Sequence, residues 1–102
     1  MVHKNTETDE AHVLKLITEP QSRKIMESIQ ENPKSVIQIS KEIGVLQSMI
    51  YRRLHKFEKY NLLKTTVKIT NEGKKSFYYQ SKVNGVNVSY EKGNFQVNLI
   101  FN

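Results

Sequence analysis

The chain has 102 residues and a formal net charge of +6 at pH 7, with no cysteine. That length suits one domain with a modest core, and the missing thiols exclude disulfides, cysteine-ligated zinc and a cysteine nucleophile. No apolar run approaches the roughly 20 residues of a membrane span, and the polar start MVHKNTETDE is no signal peptide, so a cytoplasmic protein with no membrane partner is expected.

Residues 1–8 read as a flexible N-terminus. Ala11 and Leu14, with Val13 or Ile17, mark a short first helix, and Asp9 suits its N-terminus. A second helix is expected from Thr18-Glu-Pro-Gln21: Thr18 can cap, Pro20 fits the first turn and Gln21 can complete a capping box. Ile25, Met26 and Ile29 form its apolar side, and Asn32-Pro33 ends it. In SVIQISKEIG, Val36, Ile39 and Ile43 recur at helical spacing, and Ser40 is small enough for another helix to approach. Gly44 stands where a left-handed residue would end that helix. Beyond it Ile50, Leu54 and Phe57 share one face of a fourth helix, with Val45, Leu62 and Leu63 closing the unit.

The period then falls from near 3.6 to 2. Thr65, Val67 and Ile69 alternate with Thr66, Lys68 and Thr70; Asn71-Glu72-Gly73 turns the chain; Phe77 and Tyr79 share one side of the returning strand. A second hairpin follows. Val86, Val88 and Tyr90 precede the turn Glu91-Lys92-Gly93-Asn94, and Phe95, Val97, Leu99 and Phe101 follow it. A lone hairpin is not stable in water, so its apolar face must pack on something. The expected architecture is α+β: a winged helix-turn-helix over residues 9–82, of about four helices plus a wing hairpin, and a C-terminal β-hairpin over 83–102.

The charge is segregated along this order. Residues 46–82 hold nine Lys/Arg against only Glu58 and Glu72, whereas the flanking segments are near neutral. Segregation on that scale points to a polyanionic partner. The major groove of DNA, about 12 Å wide, admits one helix, and the hairpin lysines can reach along the backbone. With Ile50, Leu54 and Phe57 inward, the outward residues near the start of the fourth helix are Gln47, Ser48, Met49, Tyr51 and Arg52. Gln47 can pair with adenine and Arg52 with guanine in bidentate fashion; Ser48 and Tyr51 can offer hydroxyls to base or phosphate. Arg53 and Lys56 read as phosphate clamps, and Lys68, Lys74 and Lys75 as the backbone contacts of the wing.

The segment from Thr18 to Gln80, through ITEPQSRKIMESI, VIQISKEIGVLQSMIYRRLHKFEKYNLL and the strand ending SFYYQ, resembles the winged helix-turn-helix repressors of the ArsR type, with MarR-like regulators as cousins. The resemblance implies a homodimer that binds a partly palindromic operator in double-stranded DNA and regulates transcription. It puts the base-reading positions on Gln47, Ser48, Met49, Tyr51 and Arg52. Two departures stand out: Leu46 replaces a capping Ser or Thr, and a β-hairpin stands in place of a late helix. The family's metal sensors use cysteines, or His and Asp on that late helix; both are missing here, and no cofactor or metal is expected.

Other signals carry less weight. Asp9-Glu-Ala-His12 spells a helicase box without a phosphate-binding loop. Asp9, His12 and His3 make a poor metal site. His55 reads as a boundary residue, and no catalytic set has supporting context, so an enzyme is not expected. Leu14, Ile17, Val88, Phe95, Val97, Leu99 and Phe101 are expected to build a symmetric dimer interface rather than complete a monomer core. A second reading is a winged-helix protein-interaction or RNA-binding module within a larger transcription complex. Operator, sign of regulation and any small-molecule effector are not written in the residues.

Overall fold

The computed structural model describes residues 7–102, so His3 and most of the 1–8 stretch lie outside the described residues. Four helices are followed by two antiparallel hairpins: α1 (Glu7–Thr18), α2 (Pro20–Ser28), α3 (Val36–Ile43), α4 (Gln47–Lys59), β1 (Leu63–Ile69), β2 (Lys75–Ser81), β3 (Val83–Glu91) and β4 (Asn94–Phe101). β1 pairs with β2, and β3 with β4.

The first helix differs in detail from its sequence reading. It starts at Glu7, which leaves Asp9 within its first turn. Val13 and Leu16 are buried, Leu14 and Ile17 are half-buried, and Ala11 is exposed. Packing of α1 against β4 selects the larger pair, since Val and Leu bury far more apolar area than Ala. Thr18 does not cap α2. It closes α1, its Oγ1 donating back to the Leu14 carbonyl at 2.7 Å. Glu19 is the N-cap of α2 without a side-chain bond, and Pro20 opens the helix, where its missing N–H costs nothing. α2 stops at Ser28, short of Asn32-Pro33. Ile29 leaves the helix so that its carbonyl accepts the Ser81 N–H at 3.0 Å, which ties α2 to the base of β2.

α3 begins with a full capping box: Ser35 Oγ accepts the Gln38 N–H, and Gln38 Oε1 accepts the Ser35 N–H. It ends on Gly44 at φ 69°, a left-handed conformation that a Cβ would strain. Ser40 Oγ donates to the Val45 carbonyl at 2.6 Å and locks that turn. α4 ends in a Schellman motif around Asn61 at φ 59°: the Asn61 N–H bonds the Glu58 carbonyl and the Leu62 N–H bonds the Phe57 carbonyl. The motif swings Leu62 into the core. Ile25, Ile29, Ile39, Ile50, Leu54, Phe57 and Leu62 are each 0–1% exposed and fill the centre.

Two junctions position the hairpins. Lys34 and Tyr79 exchange backbone hydrogen bonds at 3.0 and 2.9 Å, so the α2–α3 connection is pinned to β2 by a single antiparallel bridge. A single residue, Lys82, separates β2 from β3. Its N–H donates to Leu62, its carbonyl accepts from Asn102, and its Nζ reaches Asn61 Oδ1 at 2.7 Å. In the C-terminal hairpin, Val86 opposes Leu99, Val88 opposes Val97 and Tyr90 opposes Phe95. Val97 and Leu99, expected at a dimer interface, are instead 2% and 1% exposed within this chain. The correction follows from α1, which lies on β4 and covers them. The β3 half of the same face stays open: Val88 is 46% and Tyr90 71% exposed.

Candidate nucleic-acid interface

The helix-turn-helix pair is set by its buried faces. Val36 and Ile39 of α3 and Ile50, Leu54 and Phe57 of α4 point into one core. The opposite side of α4 must therefore face solvent, since the 3.6-residue period leaves it no partner. Gln47, Ser48, Tyr51 and Arg52 are exposed there, as are His55, Lys56 and Lys59 farther along. Met49 is half-buried and sits toward the flank. The N-cap of α4 is Leu46, with no side-chain bond to the free N–H groups of the first turn. The N–H groups of Gln47 and Ser48 remain available to an anion, which a helix N-terminus favours, while that of Met49 donates to the Leu46 carbonyl.

Arg53 departs from the role expected of it. It lies on the flank of α4 that faces α2 and forms an ion pair with Glu19 while its Nε donates to Gln21 Oε1 at 3.4 Å. With 23% of its side chain exposed, it braces α4 against the start of α2 rather than standing ready for a phosphate. Lys56 remains exposed, beside Lys15 and His12 of α1 in the cleft between α1 and α4.

The β1–β2 hairpin is two-sided. On one face Lys64 opposes Gln80, Thr66 opposes Tyr78 and Lys68 opposes Ser76. The Lys68 ammonium lies 4.7 Å from the centre of the Tyr78 ring, a cation–π contact that holds its charge along the strand. Lys74 and Lys75 sit at the tip, where Thr70 and Lys74 close the turn through Gly73 at φ 81°. Lys64 belongs to this basic face and escaped the sequence reading. Its alternation with Lys68 on the same strand was the available signal. On the other face Thr65 opposes Tyr79 and Val67 opposes Phe77. Tyr79 is buried against the helices, whereas Val67 and Phe77 are about half exposed. Between this face and α4 runs a recess lined by Tyr51, Glu58, Phe77 and Tyr79. Burial raises the Tyr79 hydroxyl above its ordinary range, and the Glu58 carboxylate and Tyr51 add to the shift.

Among the described residues no three His, Cys, Asp or Glu side chains gather as a metal site. His12 and His55 lie on different helices, and among the described residues no helix is long and apolar enough to cross a membrane. Arg52 forms no ion pair among the described residues, so its guanidinium is available to a partner.

Residues 19–65 match the model of the bacterial regulatory protein, arsR family. Comparison with curated proteins gives no match. Among solved structures, the crystal structure of NolR from Sinorhizobium fredii is similar, with a TM-score of 0.61 at 22% identity over 82% of this chain and 84% of NolR. At that identity the likeness is one of fold.

Proposed function

We propose that this chain, whose residues 19–65 match the model of the bacterial regulatory protein, arsR family, acts in the cytoplasm as a homodimeric, sequence-specific DNA-binding repressor of transcription. α4 enters the major groove, with Gln47, Ser48, Met49, Tyr51 and Arg52 at base edges. Lys56, Lys64, Lys68, Lys74 and Lys75 hold phosphates. Arg53 drops out of the contact set because Glu19 and Gln21 engage it. The second copy docks through α1 and the open β3 side of the C-terminal hairpin, with Leu14, Ile17, Val88, Phe95 and Phe101 at the contact. Two recognition helices about 34 Å apart then read successive turns of one duplex face.

The observation that carries this reading is the outward side of α4. It is exposed, basic and aromatic, lies opposite a fully buried apolar stripe, and stands beside a lysine-bearing hairpin. Selection from a random duplex pool tests it, with an inverted repeat as the expected result. On the selected site, Arg52→Ala with Lys56→Ala should weaken binding at least tenfold, since one bidentate base contact is worth about 1–3 kcal/mol. Loss of the Lys56 phosphate contact should also lower the slope of log affinity against log salt by about 0.9. Undiminished binding by the double variant, or a pool that returns no sequence preference, would overturn the reading.

A further inference from the structure

The recess between α4 and the hairpin has a lining that a DNA strand does not explain. Tyr51, Leu54 and Glu58 come from successive turns of α4, and Phe77 and Tyr79 from alternate positions of β2; together they border about 360 Å³. Tyr51 and Phe77 are 49% and 47% exposed, so aromatic surface is held open to solvent on both walls. Glu58 is the single acidic residue of α4. It sits in a block of nine Lys/Arg, yet no cation lies within ion-pair distance of it among the described residues. Its charge is felt inside the recess, where it helps to raise the Tyr79 hydroxyl's pKa after burial.

A carboxylate there repels phosphate. Aromatic faces, whose quadrupole is negative over the ring, also favour positive charge. The protein's overall charge of +6 repels every cation alike at long range, so only one with short-range gains beyond its charge is held. What remains attractive is a poorly hydrated organic cation, for which stacking and cation–π contact add to the pull of one carboxylate. The volume suits a small ligand, at the lower end of the roughly 300–1,000 Å³ found for ligand sites.

We propose that this recess binds a small organic cation, an aromatic or quaternary ammonium compound, with Tyr51, Phe77 and Tyr79 as walls and Glu58 as counter-ion. Tyr51 and His55 stand at its mouth, on the face read above as the DNA contact, so an occupant obstructs the duplex; this effector role rests on that reading, whereas the binding itself does not.

Benzyltrimethylammonium titrated into the full chain at about pH 8, above the ordinary imidazole range, gives the test. The chain has no tryptophan, and two of its five tyrosines, Tyr51 and Tyr79, line the recess, so a saturable part of the tyrosine fluorescence reports on it. Saturable quenching is expected with the cation, and little with benzyl alcohol or benzoate. Glu58→Gln and Phe77→Ser should each weaken it about tenfold, with thermal melts showing that both variants stay folded. Equal binding by Glu58→Gln, or benzoate matching the cation, overturns the site. In a parallel anisotropy measurement, the cation should release bound duplex from the wild type and not from Glu58→Gln; a complex indifferent to saturating cation overturns the effector role. Wild type that binds no duplex at all defeats the DNA reading instead, and leaves the quenching result standing.

Discussion

Glu42 shows what one exposed side chain contributes where several connections meet. The Lys34 ammonium, 2.6 Å away, and the Ser28 hydroxyl both donate to its carboxylate and hold its pKa below the ordinary value of 4.5. The three residues come from α3, the α2–α3 connection and the end of α2. Because the folded-state pKa is depressed, the stabilisation is fully present above the unfolded value and is lost as pH falls through the folded one. Urea unfolding from about pH 6 to about pH 3 should show Glu42→Gln with a shallower acid-side decline than the wild type. Residue-scale detail of this kind was the least legible in the sequence. Lys34, Ser28 and Glu42 meet only once α2 stops early, and α2 stops early because Ser81, far along the chain, needs the Ile29 carbonyl. Arg53 is the same lesson at the interface. Periodicity puts it on the edge of the outward face, and only the start of α2 decides that Glu19 takes it.

At the scale of the element, the helices were legible from their apolar spacing and their punctuation. Gly44, Pro20 and the stripe Ile50, Leu54, Phe57 all sit where their chemistry puts them. The capping box of Ser35 and Gln38 follows a spacing written in the sequence; the Schellman turn at Asn61 carries a weaker sign, since asparagine takes φ > 0 less freely than glycine. α4 begins on a residue whose apolar side chain cannot cap. Leu46 is 70% exposed, with φ −58° and ψ 139°, a backbone already shaped for an N-cap. Leu46→Ser should therefore stabilise the fold by about 1 kcal/mol, since it adds the missing acceptor and removes little buried area. A rise of several degrees in thermal midpoint is the expected readout, about 4–8 °C per kcal/mol for a domain of this size. The first helix is less legible because Ala11 and Leu14 suggest one side, whereas Val13 and Leu16 are the pair that packs inward. Which wins depends on β4, a partner from the other end of the chain.

Taken whole, the molecule is long for its mass. Its extents are 57 × 24 × 21 Å, with a radius of gyration of 15.0 Å against about 13 Å for a compact chain of this length. The alternating patterns made both hairpins legible, but not the division of the second one's apolar face between α1 and solvent. Charge substitution at the open half is the matching test of the proposed dimer: Val88→Asp with Tyr90→Asp should shift the mass measured by light scattering to that of a monomer. Both side chains are exposed in the single chain, so its fold and melt should change little. A dimer undiminished by the pair would place the two-fold contact elsewhere. The Lys82 junction gives such a dimer a mechanical meaning. With one linking residue whose N–H and carbonyl are both committed, the second hairpin cannot pivot independently of the first. Whatever clasps one blade thereby aims the other, as a rudder stock aims its vane, and the angle between two copies becomes the angle at which their lysine tips meet a double helix.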